Sequence, residues 1–223
     1  MRSIPRGRLV VSCQAREDNP LHGPAFMRAM ALAAVQGGAG GIRAEGVADI
    51  AAIRAALDLP LIGLLKRWDA RFEVYITPGF ADAAAIVAAG SDVVALDATA
   101  GTRDGEPVPV LIARIKAELG VAVMADIATL EEGLAAESAG ADYVGTTLSG
   151  YTPATKHLHD GPDLELVSAL AARCRVPVIA EGRYDRPALV AEAFARGAHA
   201  VVVGTAITNP REITRGFAAA APG

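Results

Sequence analysis

The amino-acid sequence predicts an α/β fold, a (β/α)8 TIM barrel of the phosphate-binding type that occupies residues 1–223 as one domain. Three observations carry that prediction. Eight short apolar runs alternate with Ala-rich helical segments along the whole chain, and strict alternation implies right-handed crossovers and a parallel sheet. The runs are introduced in two ways that follow odd and even position. Polar or charged residues end runs that are otherwise apolar. Neither a GxGxxG turn nor a strand-order switch supports the open, doubly wound alternative.

Strands are expected at residues 9–13, 41–43, 61–65, 93–97, 121–126, 143–147, 178–181 and 200–204. Helices are expected near residues 24–37, 46–56, 80–89, 108–118, 129–138, 162–173, 186–196 and 209–219. Before the fourth, sixth and eighth strands stand Ala89-Gly90-Ser91-Asp92, Ala139-Gly140-Ala141-Asp142 and Arg196-Gly197-Ala198-His199. In each, a helix ends, glycine supplies a left-handed cap, and a strand follows at once. Gln36-Gly37-Gly38-Ala39-Gly40 is a looser version before the second strand. Pro60 and Pro177 instead introduce the third and seventh strands, at a first-residue position that tolerates proline. Such alternation suits a barrel whose interior layers draw on alternate strands.

Composition narrows the function. Hydrophobic residues make up 52% of the chain and aromatics 4%; small apolar side chains suit strands buried on both faces. The net charge of −4, without a long basic run, argues against a nucleic-acid partner. An anionic substrate therefore needs a local positive site. Cys13 and Cys174 lie far apart and outside any CxxC, which fits a cytosolic setting without a disulfide framework. The start lacks the apolar stretch of a signal peptide, and no run approaches the ~20 apolar residues that span a bilayer. No membrane partner is expected.

The strand ends hold the candidate chemistry. Gln14 follows the first strand, Arg43 ends the second, Lys66 follows the third, and Asp97 ends the fourth. Asp126 ends the fifth, Thr146 and Thr147 the sixth, Glu181 the seventh, and Gly204 the eighth. A barrel gathers all of these at its catalytic mouth. Lys66 and Glu181 are read as catalytic. Arg43 and Asp126 suit either a structural salt bridge or contact with substrate, and Asp97 suits a polar brace. The two longer loops, residues 67–79 and 149–161, both follow strand ends and lie over that mouth. His157 and His159 are read as solvated loop residues, His199 as lying at the opposite end, and Cys13 as a small core residue. No metal pattern stands out.

A phosphate site is expected at two glycine turns, Glu181-Gly182-Arg183 and Gly204-Thr205-Ala206. They follow the seventh and eighth strands, where barrels of this class hold phosphate. Glycine admits close approach of the anion, and amide N–H groups with a helix dipole bind it. Arg183 can add charge. Asn209-Pro210 marks a helix start, with Asn as N-cap and Pro at its first position.

The strings Val10-Val11-Ser12-Cys13-Gln14, Gly41-Ile42-Arg43-Ala44, Gly63-Leu64-Leu65-Lys66-Arg67, Leu96-Asp97-Ala98-Thr99 and Met124-Ala125-Asp126-Ile127 stand in order along the chain. So do Gly145-Thr146-Thr147-Leu148-Ser149-Gly150-Tyr151-Thr152, Ile179-Ala180-Glu181-Gly182-Arg183 and Val203-Gly204-Thr205-Ala206. Together, from about Leu9 to the C-terminus, they resemble the N-acetylmannosamine-6-phosphate 2-epimerases. The resemblance implies epimerisation of N-acetylmannosamine 6-phosphate to N-acetylglucosamine 6-phosphate, in sialic acid and amino-sugar catabolism. It implies that Lys66 and Glu181 are catalytic and that Gln14, Arg43, Asp126 and Thr147 contact the sugar. Gly182, Arg183, Gly204 and Thr205 would bind phosphate. It also implies a cytoplasmic enzyme without metal or nicotinamide cofactor, and a homodimer. The sequence departs from the family pattern at Ala100-Gly101-Thr102, where basic residues are usual, and at Trp68, where a small acidic turn is usual.

The residue types fit that chemistry. Epimerisation breaks a C–H bond beside a carbonyl, and the developing enolate needs electrostatic support. A lysine removes the proton only in its neutral form, which burial or neighbouring arginines favour. Two other readings remain at this point. One is a Schiff-base aldolase using Lys66 on a phosphate-binding barrel. The other is a barrel that binds sugar phosphate without turnover.

Overall fold

The computed structural model describes residues 2–158 and 160–222. Eight parallel strands close into a barrel in chain order, β1 pairing with both β2 and β8. They are β1 Arg8–Cys13, β2 Gly41–Glu45, β3 Leu61–Leu64, β4 Val93–Asp97, β5 Ala122–Asp126, β6 Tyr143–Gly145, β7 Val178–Glu181 and β8 Ala200–Val203. The helices between them are α1 Pro24–Gln36, α2 Val47–Arg54, α3 Phe80–Ala88, α4 Val108–Arg114, α5 Leu130–Ser138, α6 Leu164–Arg173 and α7 Pro187–Ala195. After β8 come the one-turn α8 Thr205–Thr208 and then α9 Pro210–Ala219.

Side chains alternate across the strands, and the alternation divides the core in two. Val10, Ile62, Leu64, Ala95, Met124, Ile179 and Val202 fill the barrel interior. Their sequence neighbours Val11, Ile42, Leu61, Leu96, Val123, Ala180 and Val201 pack outward under the helices. The same parity carries Gln14, Arg43, Lys66, Asp97, Asp126 and Glu181 onto the inward face at the C-terminal mouth. The opposite end is closed by the N-terminal segment. Ile4 is buried there, its N–H donates to Tyr143 Oη at 3.2 Å, and its carbonyl meets His199 Nε2 at 2.8 Å. His199 thus lies at the non-catalytic end, as expected.

The glycine caps behave as the sequence suggests: Gly90, Gly140 and Gly197 adopt φ of 111°, 95° and 97°. Pro60 and Pro177 begin no ladder of their own, but their carbonyls accept from Ile42 N at 3.0 Å and Val144 N at 3.2 Å. Asn209 caps α9 by accepting from Glu212 N, with Pro210 following.

Three local expectations need correction. β2 runs on to Glu45, because parallel pairing of Glu45 with Leu64 continues past Arg43. β6 stops at Gly145, and Thr146–Leu148 form a 3₁₀ turn held partly by Leu148 N donating to Ile127 O at 3.1 Å. Thr147 therefore sits on that turn and not on a strand. α8 was not anticipated; Thr208 Oγ1 pins it to the barrel by donating to Ser12 O at 2.8 Å.

Candidate active site

A cavity of about 1270 Å³ opens at the mouth. Gln14, Arg43, Lys66, Thr147, Glu181, Gly182, Arg183, Gly204 and Thr205 all line it. These residues come from six different strand ends, so only barrel closure brings them together. Asp126 does not line the cavity. Its side chain is 0% exposed, lying beneath Arg43.

Arg43 is the hub of the mouth. Its guanidinium reaches Asp126 with two bonds, Nη1 to Oδ1 at 3.0 Å and Nη2 to Oδ2 at 2.6 Å. Nη1 also donates to Glu181 Oε2 at 2.8 Å. Such paired, charge-assisted bonds fix the plane of the guanidinium. Burial works against the Arg43 charge, but Asp126 and Glu181 outweigh it and hold the group above the ordinary arginine range. Thr147 Oγ1 closes the network by donating to Asp126 Oδ1 at 2.6 Å, and it lies 3.2 Å from Glu181 Oε2.

Glu181 is held from behind by a neighbour on the 3₁₀ turn. Thr146 Oγ1 accepts from Glu181 N at 3.0 Å and donates to Glu181 O at 2.9 Å. The Glu181 side chain keeps 13% of its surface open, and Oε2 is the oxygen engaged by Arg43 and Thr147. Burial pushes this carboxyl up to about 7, against the pull of Arg43. A carboxyl that titrates near neutrality can take or return a proton at working pH.

Lys66 follows β3, the strand paired with that of Arg43. Its Nζ donates to Gln14 Oε1 at 2.7 Å, and Gln14 Nε2 in turn donates to Ser12 Oγ at 2.8 Å. That chain orients Gln14 so that oxygen, not nitrogen, faces the lysine. Burial lowers the Lys66 ammonium below its ordinary range; Glu45 opposes this, while Arg43 and Arg16 reinforce it. The uncharged amine is thereby brought closer to reach.

The two glycine turns flank the same cavity. Gly182 takes φ 112°, and Arg183 after it takes φ 57°, left-handed for both. The Arg183 guanidinium is not free in solvent. Nε donates to Gly161 O at 2.6 Å and Nη1 to Ser149 O at 2.8 Å, so it clamps both ends of the 149–161 loop. A side chain at Gly150 would run into that guanidinium and Leu158 O.

Other assignments resolve simply. Asp97 accepts from Thr99 N at 2.9 Å and Thr99 Oγ1 at 2.6 Å, which makes it the polar brace of its own turn. Cys13 is fully buried, and burial pushes its thiol up to about 12, far from a thiolate nucleophile. His157 is exposed, and His159 lies outside the described residues. Among the described residues no group of three or more His, Cys, Asp or Glu is arranged to hold a metal. No described helix is long and apolar enough to cross a membrane.

Sequence reasoning did not single out Tyr75 or Arg16, which also line the cavity. Tyr75 stands in Val74-Tyr75-Ile76-Thr77, a run of β-branched and aromatic residues inside a stretch read as loop. That strand-like composition was a signal for extended backbone, though not for where the segment would pair.

A family model for "Putative N-acetylmannosamine-6-phosphate epimerase" matches residues 27–222. The chain belongs to this epimerase family. A relative named "Putative N-acetylmannosamine-6-phosphate 2-epimerase" from Thermosynechococcus vestitus is 52% identical, over 92% of this chain and 89% of its own. One of the same name from Clostridioides difficile is 47% identical, over 95% of each chain. The solved structure of the N-acetylmannosamine-6-phosphate 2-epimerase from Clostridium perfringens superposes with a TM-score of 0.94 at 45% identity, covering 98% of this chain and 95% of that one. A thiamine phosphate pyrophosphorylase from Pyrococcus furiosus, at 18% identity and a TM-score of 0.64, shares the fold alone. Membership of the epimerase family accords with the resemblance drawn from the strand-end motifs.

Proposed function

We propose that this chain epimerises N-acetylmannosamine 6-phosphate to N-acetylglucosamine 6-phosphate at carbon 2. The observation that carries this reading is a single cavity lined by Lys66, Glu181 and the Gly182 and Gly204 turns. The names and identities of the relatives support the substrate.

In this reading the phosphate rests on the amides of the Gly182 and Gly204 turns, with Thr205 and Arg183 beside it. Glu181, ionised, takes the proton from the sugar's O1 hydroxyl. The C1–O5 bond breaks as the carbonyl forms, and Glu181 passes the proton it took from O1 to O5. Lys66, as the neutral amine held by Gln14, removes the hydrogen on C2. The electron pair left behind delocalises onto O1 as an enolate, beside the Arg43 cation. Lys66 gives the proton it took up to solvent, a solvent-derived proton delivered to the opposite face of C2 inverts that carbon, and the ring recloses by the reverse of the opening proton moves. Asp126, too buried to meet the sugar, works through Arg43 and Thr147.

The setting is cytoplasmic amino-sugar and sialic acid catabolism, which the phosphorylated substrate supports.

Proton NMR of the purified protein with N-acetylmannosamine 6-phosphate in deuterated water tests the reading. The expected outcome is conversion to the C2 epimer with deuterium at that carbon. A product free of deuterium, or no conversion, rejects it.

A further inference from the structure

The loop of residues 67–79 leaves β3 and returns antiparallel beside it. Lys66 bridges Ile76, Arg67 N donates to Tyr75 O at 2.8 Å, and Thr77 N donates to Leu65 O at 2.7 Å. Asp97 N donates to Ile76 O at 2.9 Å, so the returning segment is wedged across the ends of β3 and β4. Thr77, buried and at φ 44°, marks where the chain is forced into this path, since a β-branched residue adopts positive φ only under external constraint. The wedge sets Tyr75 in the wall of the cavity that Lys66 also lines, its backbone paired with Arg67. Behind it, Trp68 stacks at 4.2 Å between centroids and 15° between planes. The Arg16 guanidinium, from the segment after β1, lies 5.6 Å from the Trp68 centroid. Trp68 remains 64% exposed, so burial in a core does not explain its position; the stack does.

We infer that the Arg16–Trp68–Tyr75 stack is the wall that selects the acyl group on the substrate's amide nitrogen. Tyr75 is the specificity-determining face, and Trp68 and Arg16 are positioning residues behind it. The inference rests on the proposed epimerisation at carbon 2. A 2-acylamino hexose 6-phosphate carries phosphate at one end and its amide on the reacting carbon near the other. With phosphate at the Gly182 and Gly204 turns and carbon 2 at Lys66, that carbon sits at the end of β3, where the returning loop and its cavity-lining Tyr75 offer a wall for the amide substituent. Tyr75 presents a ring there. A small acyl methyl packs on that face, whereas a longer acyl chain has to displace Tyr75 against Trp68. Two stacked rings and a cation over the outer one resist that displacement.

Trp68 is the one tryptophan of the chain, so the emission of the intact protein reports on the stack. N-acetylmannosamine 6-phosphate is expected to shift or quench that emission, and inorganic phosphate, which reaches only the glycine turns, to leave it unchanged. Trp68→Ala is expected to raise KM for the N-acetyl substrate by about three- to tenfold, more than it lowers kcat. It should also narrow the spread of kcat/KM among N-acetyl, N-glycolyl and N-butanoyl substrates, and Trp68→Phe should restore the wild-type spread. Wild-type KM and selectivity in Trp68→Ala, or an equal emission change with inorganic phosphate, overturns the inference and leaves epimerisation standing. Failure of the wild-type protein to epimerise any N-acyl substrate overturns both.

Discussion

Arg43 donates to Glu181 at 2.8 Å across the barrel, from β2 to β7, and this contact opposes the burial that otherwise governs how Glu181 titrates. Burial prevails and brings the carboxyl to about 7. As the base for the O1 hydroxyl, Glu181 works in its ionised form. Activity is therefore expected to fall as pH drops through about 7, in a profile of kcat/KM that reports the free enzyme. In Glu181→Gln that limb should vanish, on a rate lower by about 100-fold or more. Stability responds in the opposite sense. The folded state binds this proton more tightly than the unfolded chain does, so the group's contribution is full below its ordinary 4.5 and lost as pH rises through about 7. Thermal melts should show Glu181→Gln gaining on the wild type from about pH 5 to about pH 8. A limb that persists unchanged in the variant removes Glu181 from the role.

Asp126 tests how much of the site is scaffold. Its side chain is 0% exposed and that of Arg43 1%, so removing the carboxylate leaves a buried guanidinium with Glu181 as its remaining ion partner. Breaking a buried pair from one side costs about 3–5 kcal/mol. Asp126→Ala is expected to lose that much in urea unfolding, with activity lost as Arg43 and Thr147 shift. Adding Arg43→Met should recover part of the stability and none of the activity, because the half-compensated guanidinium is gone and Glu181, freed of it, is more readily neutralised by a proton. Wild-type stability in Asp126→Ala alone would sink this account.

Lys66 should separate function from folding. Its ammonium is lowered by burial, which means the folded state binds this proton less tightly than the unfolded chain. That group costs stability at neutral pH, and the cost disappears only as pH rises above the ordinary lysine value. Lys66→Met is therefore expected to melt at or above the wild-type temperature while turnover falls by about 100- to 10,000-fold. Loss of both fold and turnover would make Lys66 structural.

The barrel was legible because its strands are short apolar runs with fixed side-chain parity, punctuated by Gly90, Gly140, Gly197, Pro60 and Pro177. Parity also delivered Gln14, Lys66 and Glu181 to one mouth. Depth was not legible. Arg43 and Asp126 each read as a charge at a strand end, and nothing local says that Asp126 lies beneath Arg43. The ends of β2 and β6 were misplaced for a related reason. Glu45 looks like a strand terminator by polarity, yet its backbone pairs with Leu64. Thr147 looks strand-like by propensity, yet tertiary bonds to Ile127 turn that segment into a 3₁₀ turn. The place of Tyr75 in the cavity wall depends on a loop folding back on its own strand, and local sequence signals do not encode that return.

Arg183 joins two tasks, and its replacement should reveal both. Two of its nitrogens hold Gly161 O at 2.6 Å and Ser149 O at 2.8 Å, while the residue also lines the cavity beside Gly182. If the phosphate rests on these turns, Arg183→Ala removes a charge-assisted contact and loosens the loop over it. KM for the phosphosugar is expected to rise by about 10- to 100-fold, and competitive inhibition by inorganic phosphate should weaken in proportion. Lysine at this position keeps the charge but cannot span both carbonyls with a planar fork. Arg183→Lys should therefore recover phosphate inhibition better than it recovers turnover, because the loop stays loose while the charge is retained. Undiminished phosphate inhibition in Arg183→Ala would place the anion elsewhere in the cavity.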